Sequence, residues 1–202
     1  MPFIPTGFEK LIEHGYGERT DVRRERVDDL REAIDEHRRI VLLGDPGSGK
    51  TTTLWHLAHD YAREAREDAH APLPVVVPLG GYTDDRGFEE YVRRQLGPLA
   101  DYLETYLTAG RLTLLLDGLN EMPQAGYAER VSRIRALLDG HSEGVAVVTC
   151  LALDYVEKLE RLQKLEVAAL DIERIRTFLH NYLGDAAGER LFRALAGGDD
   201  QV

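Results

Sequence analysis

Two hydropathy periods alternate along the chain. Unbroken apolar runs at RIVLLG (39–44), LPVVVPL (73–79), RLTLLLD (111–117), VAVVTC (145–150) and KLEVAAL (164–170) predict buried strands. Between them apolar residues recur at helical spacing. Val27, Leu30 and Ile34 predict an amphipathic helix over about Asp21 to His37, with Arg24, Asp28 and Arg31 on its solvated face. Leu54, Leu57, Ala58 and Tyr61 mark a helix from Lys50 to about Arg66, which the DAHAP segment breaks. Phe88, Tyr91, Val92 and Leu96 predict a short helix, and a further apolar-spaced stretch runs from about Pro98 to Leu107. Val131, Ile134, Leu137 and Leu138 mark another helix, a further one is expected around 153–162, and Asp171 caps a last one that Gly184 ends.

Apolar strands that alternate with helices predict a mainly parallel sheet covered on both faces, an α/β three-layer architecture. Residues 1–170 read as its core with a helical lead-in. Residues 171–202 read as the start of a helical lid, and the AGGDDQV ending just after a helical pattern reads as a truncation of something longer.

The chemistry concentrates where the first strand meets the next helix. Gly44 to Thr51 read GDPGSGKT, a glycine-rich turn of the kind that wraps polyphosphate oxygens in backbone N–H groups at a helix N-terminus. Gly44, Gly47 and Gly49 supply the tight turn, and Asp45, Pro46 and Ser48 complete the loop. Lys50 reaches the β- and γ-phosphates, Thr51 offers a hydroxyl to Mg²⁺, and the Thr52 N–H lies toward the α-phosphate. The fold class is thereby narrowed to a P-loop NTPase.

A second element, LTLLLDGLNE at 112–121, carries the acids that such a loop requires. Asp117, at the tip of a neighbouring strand, is the candidate for the metal's water shell, and Glu121 the candidate for orienting and deprotonating the attacking water. Asn120 stands ready to position that water or the γ-phosphate. Thr149, near the end of VAVVTC, is a candidate γ-phosphate contact. His56 and His59, three apart on the helix after the loop, lack a further ligand and read as surface or packing.

Composition removes other classes. Against 25 Lys and Arg stand 36 Asp and Glu, a formal charge of −11 that disfavours bulk nucleic-acid binding and anionic membrane surfaces. The single cysteine, Cys150, forms no internal disulfide and suits a reducing cytoplasm. The N-terminus lacks the pattern of a signal peptide, and no apolar run approaches a membrane span.

GDPGSGKTT at 44–52 together with LLLDGLNEMP at 114–123 resembles the NACHT subfamily of signal-transduction ATPases with numerous domains. VVTC and LEVAALDIERIRTFLHNYLG resemble that family's sensor strand, last core strand and first lid helices, so the resemblance spans about residues 25 to 195. It implies a regulatory or defence switch that ADP holds closed and ATP opens to self-associate. Leu151 departs from the family's pattern, which commonly places an arginine at the end of the sensor strand. Three functions follow as expectations: a slow Mg²⁺-dependent ATPase, a nucleotide-binding interaction module without significant turnover, and a P-loop small-molecule kinase. No N-K-x-D segment follows the second motif, which lowers GTP as the substrate without excluding it.

Overall fold

Along β3 (Arg39–Gly44) successive side chains enter opposite faces of a sheet. Ile40 and Leu42 join one buried cluster, and Val41 and Leu43 join the other. The same split recurs in β5 (Leu112–Asp117) and β6 (Val145–Leu151), where Leu115 and Val147 oppose Leu114, Leu116, Ala146 and Val148. This double-sided burial is why these strands read as continuous apolar runs. Each fully buried Leu or Ile contributes about 1.5–3 kcal/mol of transfer free energy.

The computed structural model describes residues 7–16, 19–27, 29–83, 86–155, 159, 161–168 and 171–196. Among these, seven strands form one sheet in the order β2 (Arg19–Val27), β1 (Phe8–Tyr16), β7 (Gln163–Val167), β3, β6, β5 and β4 (Leu73–Pro78). The strands β4, β5, β6, β3 and β7 run parallel. The helices α1 (Leu30–His37) and α2 (Lys50–Glu67) cover one face through Leu30, Ile34, Leu54 and Leu57. The helices α3 (Phe88–Gln95), α4 (Leu103–Thr108) and α5 (Tyr127–Gly140) cover the other through Phe88, Val92, Leu103, Leu107, Val131 and Ile134. Apart from short 3₁₀ turns, α6 (Ile172–Leu183) and α7 (Asp185–Ala196) complete the described elements.

The expected strands and the three-layer arrangement are present, and three local expectations change. The helix expected from Asp21 begins only at Leu30, where the Asp29 carboxylate accepts the Arg31 N–H at 2.8 Å. Ahead of it the chain forms an antiparallel hairpin, β1 (Phe8–Tyr16) with β2 (Arg19–Val27). Phe8, Glu9 and Lys10 dock the hairpin antiparallel on β7. Arg24 therefore sits on a strand, and its guanidinium bridges Glu9 at 2.7 Å and Glu166 at 3.1 Å across three strands, while Asp28 lies outside the described residues. The helix expected around 153–162 is, over its described part, a 3₁₀ turn at Ala152–Asp154 followed by a bond from the Tyr155 hydroxyl to the Leu159 carbonyl. Third, β6 lies between β3 and β5, so the acid-tipped strand is next but one to the strand that leads into the glycine-rich loop.

The C-terminal helices pack tightly. The Asp171 carboxylate accepts the Arg174 N–H at 2.8 Å and starts α6, and Gly184 ends it. At Gly188 of α7 an added Cβ would lie 2.7 Å from the Leu179 carbonyl oxygen and the His180 nitrogen. Only a hydrogen fits there.

Candidate functional site

At the carboxyl ends of the parallel strands an open cleft of about 400 Å³ is lined by Pro46, Gly47, Gly49, Lys50, Thr51 and Thr52 from the glycine-rich loop. Asp117, Gly118, Asn120, Glu121, Thr149 and Leu151 complete its lining. This is where open α/β sheets place their ligands. Gly44, Asp45 and Ser48 complete the loop behind the lining.

The loop's shape follows from its glycines. Gly47 and Gly49 hold φ at 77° and 92°, a region that side chains rarely enter, and Gly49 sits at the N-cap of α2. Gly44 serves packing instead, because a Cβ there would lie 2.6 Å from Ser48 Oγ and 3.3 Å from Val167 Cβ. The Lys50 ammonium donates to the carbonyls of Gly44 at 2.9 Å and Asp45 at 2.8 Å, and to Ser48 Oγ at 3.3 Å. Burial pushes its pKa below the ordinary lysine value, with Asp45, Asp117 and Glu121 among the groups that oppose the shift.

The acids stand across the cleft. Thr51 Oγ1 donates to Asp117 Oδ1 at 3.1 Å. These two hard oxygen donors suit Mg²⁺, an ion that takes few protein ligands and fills its shell with water and substrate oxygens. Gly118, with φ 77°, turns the chain so that the Leu119–Glu121 3₁₀ turn begins directly after the strand, closed by a bond from the Glu121 N–H to the Gly118 carbonyl at 2.9 Å. The Glu121 side chain folds over that glycine: a Cβ on Gly118 would meet Glu121 Cδ at 2.6 Å. Gly80, past the end of β4, lies against the same side chain, since a Cβ there would stand 3.4 Å from Glu121 Oε2.

Two side chains tie β5 and β6 together beneath the cleft. The Thr149 hydroxyl donates to Asp117 Oδ1 at 2.6 Å and accepts the Gly118 N–H at 2.8 Å. The Asn120 side-chain carbonyl accepts the Leu151 N–H at 3.1 Å, which leaves its NH₂ group for other work. Leu151 itself presents an apolar side chain to the wall. Cys150 is fully buried, and burial pushes its thiol up to about 11, away from nucleophilic use.

The structure thus brings the loop residues Gly44 to Thr52 and the acids Asp117 and Glu121, expected from sequence, to one cleft, with Thr149 beneath it. Sequence reasoning singles out neither Gly80 nor a steric duty for Gly118. The signal for Gly118 was its place between a strand-tip acid and a second acid three residues on. Nothing local in the sequence pointed from Gly80 to Glu121.

Among the described residues no helix is long and apolar enough to cross a membrane. No curated protein matches the chain. Solved structures that resemble it include PCH-2 of C. elegans, at 15% identity and a TM-score of 0.44, where the match covers 85% of this chain and 45% of that one. Another is a signal-transduction ATPase with numerous domains (STAND) that carries a tetratricopeptide repeat sensor, from Pyrococcus horikoshii. There the identity is 15%, the TM-score 0.41 and the coverage 85% of this chain and 27% of that one. The chain therefore spans less than half the length of either. The NACHT domain family matches residues 38–186, a stretch that runs from the start of β3 into α7 and contains the whole cleft. This P-loop chain belongs to the NACHT domain family.

Proposed function

We propose that the chain is the ATP- and ADP-binding, Mg²⁺-dependent NTPase module of a regulatory or defence signalling switch, and that it hydrolyses ATP slowly to ADP and phosphate. The observation that carries this reading is the facing of the loop by Asp117 and Glu121 across one cleft, with Thr51 and Asp117 already 3.1 Å apart. The backbone N–H groups of Gly47 to Thr52 and the start of α2 favour the anionic phosphates. Lys50, now held by loop oxygens, exchanges those acceptors for phosphate oxygens. Thr51 and Asp117 would hold the Mg²⁺, which when bound neutralises charge on the phosphates. Glu121 would orient a water and accept its proton, since among the described residues no donor holds its carboxylate.

The slow rate has a physical source. Among the described residues that line the cleft Lys50 is the sole cation, beside two carboxylates, so charge that develops on the phosphates meets little stabilisation. Leu151, where a cation would help most, also favours a second reading in which nucleotide is held without turnover.

The test is nucleotide titration with and without Mg²⁺ alongside ATP turnover. Lys50→Ala is expected to lose about tenfold or more in affinity, on the scale of one charge-assisted contact. Unchanged affinity in that variant overturns the assignment. Firm binding with no ATP loss, in the parent and in Glu121→Gln alike, selects the second reading.

A further inference from the structure

We propose that Thr149 is a positioning residue that aims both acids of the cleft, and that it does not contact phosphate. The inference rests on the nucleotide-binding reading above and assigns a cause to the placement of its metal-side oxygen.

A threonine hydroxyl has one hydrogen to give and room to accept. In this chain the hydrogen goes to Asp117 Oδ1 at 2.6 Å, the short distance of a bond to a charged acceptor, and the oxygen takes the Gly118 N–H at 2.8 Å. Thr149 is 1% exposed. Its proton is committed inward, so a phosphate in the cleft would find no donor there unless the Asp117 bond broke.

Those two bonds act on different acids. The first, with the Thr51 bond to the same oxygen, pins Asp117 Oδ1 from both sides of the cleft. Among the described residues no donor reaches Asp117 Oδ2, so that oxygen is the one free to face a metal or its water. The second bond fixes the N–H of Gly118, the residue at which the chain turns with φ 77° into the segment that carries Glu121. Since the Glu121 N–H is bonded to the Gly118 carbonyl and its side chain lies over that glycine, the corner sets where Glu121 stands. One hydroxyl on β6 therefore orients the metal-side acid directly and the water-side acid through the backbone.

The experiment compares Thr149→Val, which keeps shape and loses the hydroxyl, with Thr149→Ser, which keeps the hydroxyl. ADP and ATP are titrated with Mg²⁺ and with EDTA, and Gly118 amide exchange is followed by NMR without nucleotide. The expected result for Thr149→Val is a loss of about tenfold in affinity with Mg²⁺, no change with EDTA, and faster Gly118 exchange. Thr149→Ser is expected to restore all three readouts. Equal loss with and without Mg²⁺ overturns the proposal in favour of direct phosphate contact, and no loss in either condition overturns it outright. If the parent protein and Lys50→Ala alike bind no nucleotide, the nucleotide reading has failed instead. Gly118 exchange still decides the Thr149 bond in that case, because unaccelerated exchange in Thr149→Val overturns it.

Discussion

Replacing Gly118 by alanine separates two quantities that most substitutions in a cleft confound. Gly118 holds φ 77° and ψ 57°, and an L residue in that left-handed region costs about 1–2 kcal/mol. The added Cβ would also stand 2.6 Å from Glu121 Cδ and 2.8 Å from Oε2, atoms at the flexible end of a side chain. The cheapest relief is rotation of the carboxylate, with the backbone in place. Stability should therefore fall only by the conformational term, a melting temperature lower by about 2–8 °C for a chain of this size. Turnover should fall by about 10²–10⁴-fold, because the displaced carboxylate is the proposed proton acceptor. Nucleotide affinity should stay within about threefold, well under the tenfold that 1.4 kcal/mol represents, since Lys50, Thr51 and Asp117 keep their bonds. Calorimetric melting, nucleotide titration and phosphate release measure the three terms. Gly118→Asn supplies a control: asparagine tolerates left-handed backbone but brings the same Cβ, so it should regain stability without regaining turnover. The double variant with Glu121→Gln should be no slower than Glu121→Gln alone. Wild-type turnover in Gly118→Ala would falsify the reasoning, as would a loss of nucleotide binding as large as that of turnover.

Two further outcomes are expected. Hydrogen bonds from His180, Arg193 and Arg176 hold the Glu189 carboxyl down to about 2. Since the folded value lies below the ordinary 4.5, the network supports the α6–α7 pair above about pH 4.5 and loses that contribution as pH falls toward 2. Amide exchange in α6 and α7 should rise over that window, and Glu189→Gln should flatten the rise; identical profiles in both proteins would refute the link. Leu151→Arg places a guanidinium in the lining of the cleft, on the strand paired with the one that leads into the loop, and should favour ATP over ADP by about tenfold, the scale of one charged hydrogen bond. An equal gain for both nucleotides in titration would show that the side chain does not reach the terminal phosphate.

The parallel core was legible because double-sided burial writes itself as apolar runs, and the loop because its glycines and Lys50 occupy fixed spacings. The hairpin was not. In β2 Val27 is the last residue of a strand whose neighbours are mostly charged, so hydropathy gives no period of two, and Val27, Leu30 and Ile34 mimic one helical face across a strand-to-helix boundary. Asp29 was the available correction, since it is the residue that caps α1. What stabilises β2 lies elsewhere in the chain, in the register with β1 and the reach of Arg24 to Glu166. The insertion of β6 between β3 and β5 was likewise invisible, because strand order is set by how crossovers pack and by nothing within a strand. For the same reason Thr149 reads from sequence as a phosphate contact, while its bonds to Asp117 and Gly118 emerge only when the two strands lie side by side.

The strand order also sets a schedule for a newly made chain. The glycine-rich loop grows out of β3, yet Ile40 finds its partners at Val147 on one side and Gln163 on the other, and Phe8 waits for Val167. Until synthesis has passed these distant residues, the segment that carries Lys50 has no flanking strands to hold it. Such non-local pairing slows folding, because loops must close before contacts reward them. An emerging polypeptide thus carries its phosphate-loop residues early but acquires a rigid cradle for them only once β7 has followed, and a message interrupted before β7 yields a product with the motif and without the site.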